Sequence, residues 1–341
     1  MRSSFLLSVC CLAATLVPVR SQTIEEVTRE LPPHVSILTT WGVRPEWDET
    51  GENVYFLHRL LGDVFKINLK TRAISAVTSH LHHPGIQRCM CLSNGDLLLG
   101  IGDINTGDME RDKAKLAMFV LKKSEPGKLH PLGAFFGEGP AVSKTGLKVA
   151  WTLPGQLEIK LGEIQYDNGI PKLANVKTII DYRKREEVVR LETQDFRPPH
   201  DKELIFTHYH GPVGDAFVNA DVHGYNLETG AITDYTQAPD SYDEAEGIFP
   251  DGQWTMIESD RHLPPKWKKK YKVDIFRLKL DGSGEVQQLA DLAQRFPDTL
   301  RSDNPVVDKT GRYVAYQFGF SQGEGARGQG IFLLDLEKLP K

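Results

Sequence analysis

The stretch Phe249-Pro-Asp-Gly-Gln-Trp-Thr-Met-Ile-Glu-Ser-Asp-Arg261, followed by Asp274-Ile-Phe-Arg-Leu-Lys-Leu280, sets the architecture. Asp251-Gly252 reads as a hairpin turn, because glycine takes the positive φ of such turns without steric cost. Trp254–Glu258 is short, apolar and bounded by turn residues, which marks a buried strand. Asp274–Leu280 returns beside it. The same grammar recurs along the chain in both directions. Its turn positions are Gly51, Gly95, Gly146, Asp201, Gly252 and Gly311, at spacings of 44, 51, 55, 51 and 59 residues. Each precedes an expected strand: Val54–Leu57, Leu97–Ile101, Lys148–Thr152, Glu203–Thr207, Trp254–Glu258 and Tyr313–Phe318. Asp63–Leu69 and Asp221–Leu227 are near copies of Asp274–Leu280, and Ala73–Thr78, Ala231–Thr236 and Glu285–Leu289 follow as last strands.

Six units of this length, four strands each, predict an all-β fold: a six-bladed β-propeller. Extended helical periodicity is absent, and Glu25–Leu31 allows at most one short helix. The sixth unit runs out of chain after three strands. A spare strand, His34–Thr40, precedes the first unit and is expected to complete the sixth blade, closing the ring and removing open edges.

The 341 residues carry 41 basic and 46 acidic side chains, a net charge of −5, with 26% charged overall. That balance lacks the positive field of a nucleic-acid or anionic-membrane binder. Met1-Arg2, the apolar core Phe5–Val17 and the polar segment to Ser21 read as a secretory signal. The expected organisation is a signal over residues 1–21 and one propeller domain over 22–341, secreted and without membrane insertion after cleavage. No Asn-x-Ser/Thr sequon is present. Removal of the leader takes Cys10 and Cys11, leaving Cys89-Met-Cys91. These two point to one face of a strand, are strained as a bridge, and read as small buried side chains.

The fifth unit resembles the repeat of TolB-type six-bladed propellers: Phe-Ser-Pro-Asp-Gly-Lys, an apolar strand, Ser-Asp-Arg, then an Ile-Tyr strand. The resemblance spans nearly the whole mature chain. The second and fourth units depart from it, with Cys89 and Asp195 where proline is usual. It implies the fold rather than a function, since such propellers serve as scaffolds, lyases and protease covers. In its leader, size and single propeller the chain is also similar to fungal secreted propellers of natural-product clusters, including hetero-Diels–Alder cyclases of tropolone sesquiterpenoid biosynthesis.

In a propeller the inner strands start at one face, here termed upper, and the loops between second and third strands return to it. The inner-strand starts bring Arg44, Arg88, Glu138, Gln194, Glu244, Glu246, Asp303 and Asn304. The loops bring His58, Arg59, Asp103, His208, His210, Asp260, Arg261, His262 and Gln322. The catalytic candidates are His208, His210, Glu246, Asp260 and His262, because imidazoles beside carboxylates form acid–base pairs. Arg44, Arg88, Gln194, Arg261 and Asn304 are candidates for substrate binding, with the two arginines forming a cationic rim. The competing reading ties these charges into structural ion pairs. His208-Tyr-His210 has metal-ligand spacing, with His262 or Glu246 as the nearest third ligand, but no closing set is evident, so neither metal nor cofactor is expected. The lower face, with its Asp-Gly turns, needs no function.

Three functions follow. The first is an enzyme on a small-molecule substrate, such as a cofactor-independent cyclase that dehydrates its substrate to a quinone methide and guides a hetero-Diels–Alder cycloaddition. The second is a uronide or oligosaccharide lyase, with a His base, an arginine rim and a metal at the histidines. The third is a non-catalytic binding propeller.

Overall fold

The computed structural model describes residues 29, 31–102, 115–211, 219–265, 268, 272–295, 300–320 and 330–340. The segment expected to be a signal (residues 1–21), Asp103, Gln322 and most of the Gly-rich insert before Gly330 lie outside the described residues.

β1 (Val35–Thr39) comes first and belongs to the last blade. Blade 1 holds β2 (Val43–Trp47), β3 (Asn53–Leu57), β4 (Val64–Asn68) and β5 (Ile74–Ala76). Blade 2 holds β6 (Ile86–Cys91), β7 (Leu97–Ile101), β8 (Ala117–Leu121) and β9 (Leu129–Phe135). Blade 3 holds β10 (Ala141–Val142), β11 (Lys148–Thr152) and the long hairpin β12 (Glu158–Asp167) and β13 (Ile170–Asp181). Blade 4 holds β14 (Val188–Phe196), β15 (Glu203–His210), β16 (Asn219–Asn226) and β17 (Ile232–Asp234). Blade 5 holds β18 (Asp243–Ile248), β19 (Trp254–Ser259), β20 (Asp274–Lys279) and β21 (Val286–Gln288). Blade 6 holds β22 (Leu300–Val307), β23 (Tyr313–Phe320), β24 (Gly330–Asp335) and, outermost, β1.

The ring closes as the spare strand predicts. β1 pairs antiparallel with β24, Val35 opposite Leu334 and Ile37 opposite Phe332. The Trp47 indole donates to the Val306 carbonyl at 2.9 Å, joining blade 1 to blade 6. Among the described residues, apolar clusters fill the space between every pair of neighbouring blades. Leu98, Met118 and Val149 meet between blades 2 and 3, for example, and Ile205, Ile257 and Leu278 between 4 and 5. Each blade thus buries both faces except at its outer strand.

The turns follow the sequence with one exception. Gly51, Gly95, Gly252 and Gly311 have φ between 69° and 84°, and Asp201, standing in for glycine, has φ 50°. Gly146 is not in that region. At Gly252 a Cβ would lie 2.2 Å from the Pro198 carbonyl oxygen, so glycine is required there for space as well as for φ. In blades 1 and 4 the fourth strand ends earlier than expected, and a threonine side chain takes the next donor of the third strand. Thr78 Oγ1 accepts from Val64 N at 2.9 Å, and Thr236 Oγ1 accepts from Val222 N at 2.5 Å.

Candidate active site

The inner strands are bent where they pass the axis. Pairing shifts register between Val43 and Glu46, Ile86 and Arg88, Thr193 and Asp195, Ala245 and Ile248, and Asp303 and Val306. Such bulges re-aim side chains. Arg44 (φ 53°) and Asn304 (φ 51°) take left-handed backbone at these bends. The bends open a central cavity of about 330 Å³. Arg44, Arg88, Glu192, Gln194, Glu246 and Asn304 line it, and so do Glu46, Asp48, Lys144, Asp195 and Lys309. Its walls are largely apolar: Trp47, Met90, Pro140, Pro198, Ile248 and Val306 contribute.

A charged ring crosses the cavity near its upper part. Arg88 bonds Glu138 and Glu192, the latter at 2.8 Å, and Arg44 lies 3.5 Å from Glu138. The expected cationic rim is therefore neutralised by carboxylates already in the fold. Glu244, Glu246 and Glu258 each offer an oxygen within 4.8 Å of the others. Burial, then the Glu244 and Glu192 charges, pushes the Glu246 carboxyl well above its ordinary range, with Arg88 opposing. Burial and the charges of Glu244 and Glu246 do the same to Glu258. Like charges this close do not all ionise, so this cluster retains a proton. Tyr209 contacts both Glu192, at 3.1 Å, and Glu244, and Tyr242 contacts Glu244, fixing the outer side of the cluster.

The other pole of the cavity lies towards the lower face. Lys144 Nζ sits 2.6 Å from Glu46 Oε1. Asp195 is 8% exposed, and burial, with Glu46 adding to it and Lys144 opposing it, raises its carboxyl to about 7. Main-chain N–H groups of Phe196, at 3.1 Å, and Ile248 donate to it. Cys89 and Cys91 are free, buried and in the cavity wall. Burial raises Cys89 well above the ordinary thiol range and Cys91 to about 12, so neither is a thiolate nucleophile.

Of the catalytic candidates, only Glu246 lines this cavity. Asp260 accepts the Tyr242 main-chain N–H at 3.0 Å. His262 lies 2.9 Å from Asp274, which also accepts from Ala293 N and Gln294 N in the short helix α1 (Leu292–Arg295). These contacts hold Asp260 and His262 away from the cavity, so they do not meet Glu246 as an acid–base set there. Likewise Arg261 forks onto Asp243, at 3.1 and 2.8 Å, and does not line the cavity. His208 and His210 stand on β15 facing the blade 3 side, near Tyr182. They join Asp221 and His223 of β16 there, away from the cavity lining. Burial and the His223 and His210 charges lower His208 to about 4. Of the substrate-binding candidates, Arg44, Arg88, Gln194 and Asn304 do line the cavity.

The cavity also reaches the lower face. Lys144, Thr145, Pro199, Pro250 and Lys309 are exposed and ring the cavity there. Asp195 and Lys144 were missed as site residues because their setting comes from Glu46 of another blade. The departure of Asp195 from the usual proline was the available signal.

No family model matches the chain, and no curated protein matches it. Among solved structures it is similar to TolB from Acinetobacter baumannii, with TM-score 0.55 and 14% identity over 84% of this chain. The match spans 64% of that TolB chain. It is also similar to a streptogramin B lyase, with TM-score 0.50 and 13% identity over 88% of this chain and 97% of the other. These likenesses are of fold alone; the six four-stranded blades are read from the chain's own sheets.

Proposed function

We propose that this is a secreted small-molecule enzyme of the lyase type, which removes water from a hydroxylated organic substrate in the central cavity. The observation that carries the reading is a pair of carboxyl groups in one cavity, both raised by burial but to different extents. Asp195 is raised to about 7, and Glu246 is raised well above the ordinary carboxyl range within a cluster that retains a proton. Environments that separate two titratable groups in this way assign the base and the acid. Asp195, deprotonated, takes a proton from carbon. Glu246 protonates the departing hydroxyl. The C–H and C–O bonds break, a double bond forms, and water leaves. Lys144, held charged by Glu46, polarises the substrate near Asp195. The cavity size falls at the low end of small-ligand sites, and its apolar walls suit a compact substrate.

The cyclase expected from sequence is a special case, in which the dehydrated product then closes a ring. The apolar wall supports a compact, weakly polar intermediate; the dehydration step is the part with residue-level support. A uronide substrate is disfavoured. Seven carboxylate side chains line the cavity against four cationic ones, and the two arginines are already engaged by Glu138 and Glu192.

The test is an untargeted metabolite comparison of a deletion strain with its parent. The reading expects an accumulated compound heavier by one water than the compound that disappears, and conversion of the first by purified protein. Indistinguishable metabolite profiles, or a pair of compounds differing by something other than water, would exclude it.

A further inference from the structure

We infer that His208 and His223, with Asp221, form a binding site for a divalent transition-metal ion on blade 4, outside the central cavity. The site comes from pairing across two strands. On β15, His208 faces the same side as Phe206 and His210. On β16, Asp221 lies directly opposite His208, and His223 opposite Phe206. One donor atom from each of His208, Asp221 and His223 falls within 4.8 Å of the others. The His208 and His223 rings are 4.9 Å apart.

The two imidazole donors are poised rather than used. His208 Nε2 and His223 Nδ1 are buried nitrogens with no hydrogen-bond partner among the described residues. Buried polar nitrogens are normally paired, so two unpartnered ones converging on a carboxylate need a ligand to complete them. His210 supports the set from the next position, its ring stacked on His208 at 5.7 Å and its Nε2 2.7 Å from Asp221 Oδ2. A carboxylate ligand braced by a second side chain is the usual outer support of a metal site. Two imidazoles and one carboxylate favour zinc or another first-row divalent ion over calcium and magnesium, which prefer oxygen donors. Three protein donors leave a coordination position to water, and the partly exposed His208, Asp221 and His223 give an ion access from solvent. The sequence alone offered His208 and His210 without a closing set; Asp221 and His223 close it from the neighbouring strand.

None of these residues lines the cavity of the proposed dehydration, so the two proposals stand or fall separately. The experiment uses tag-free, chelator-stripped, dialysed full-length mature protein titrated with zinc sulfate against a chromogenic chelator. The wild type is expected to take up one equivalent. His208→Gln, His223→Gln and Asp221→Asn should each weaken uptake at least ten-fold, while His80→Gln, outside the cluster, leaves it unchanged. Thermal melts without metal check that the variants are folded. Cobalt(II) added to the wild type should give the visible spectrum of a four- or five-coordinate ion, a readout that needs no variant. No uptake at micromolar zinc, uptake unchanged in all three variants, displacement of zinc by equimolar calcium, or an unaltered aquo-cobalt spectrum would each overturn the site.

Discussion

Asp195 shows how a residue acquires a role that its neighbours in sequence do not announce. Its carboxyl is raised to about 7 because folding buries it near Glu46, with Lys144 and the main-chain N–H groups of Ile248 and Phe196 opposing but not cancelling that burial. Asp195→Asn is expected to lower turnover ~10²–10⁴-fold, the usual cost of a lost acid or base. The wild-type rate should rise with pH and level off above about 7, since the base acts deprotonated. The same shift has a stability consequence. A carboxyl whose pKa rises on folding binds its proton more tightly in the folded state, so stability falls as pH climbs from about 4 to about 7. Asp195→Asn should therefore melt higher than wild type at pH 8.5, by at most about 4 kcal/mol, and the gap should close towards pH 4. A gap that widens on acidification would contradict the assignment. Arg88 behaves differently. Its guanidinium neutralises Glu138 and Glu192, so Arg88→Ala leaves two carboxylates without their cation and should cost about 3–5 kcal/mol in a denaturant melt.

Strands were the most legible elements, because turn glycine and apolar run sit side by side in sequence. Closure was legible too, from arithmetic: three strands at one end and a spare one at the other. Removing residues up to Thr40 strips β1, exposes β24 as an edge and uncovers the space that Val35 and Leu38 fill. Two buried apolar side chains are worth about 3–6 kcal/mol, so the truncated protein should unfold at markedly lower denaturant than a chain beginning at Gln22. Equal midpoints would contradict the closure. The site was less legible, for a geometric reason. Bulges in β2, β6, β14, β18 and β22 decide which side chain meets the axis, and a one-residue shift turns a strand residue to the other face. Arg44, Arg88 and Glu246, on these inner strands, meet the cavity, while Asp260 and His262 follow β19 in a loop and go to main-chain and helix-end contacts. His223 escaped notice because only strand pairing sets it beside His208.

At the scale of the molecule, the propeller arranges six strand bends around one axis and leaves a cavity with an acidic cluster towards one end and the Asp195–Lys144 pole towards the other. Lower-face turns that sequence alone assigns only to folding thus also frame the cavity. Lys144→Ala should accordingly reduce turnover, whereas a substitution at Asn94, exposed on a turn outside the cavity lining, should not. The central claim is that chemistry takes place between Asp195 and Glu246. Its most direct test is conversion of the compound accumulated by the deletion strain, using purified wild type, Asp195→Asn, Glu246→Gln and His262→Gln, each confirmed folded by its melt. Loss of the dehydrated product in the first two variants and its retention in His262→Gln is the predicted result. Normal turnover by Asp195→Asn and Glu246→Gln would contradict it.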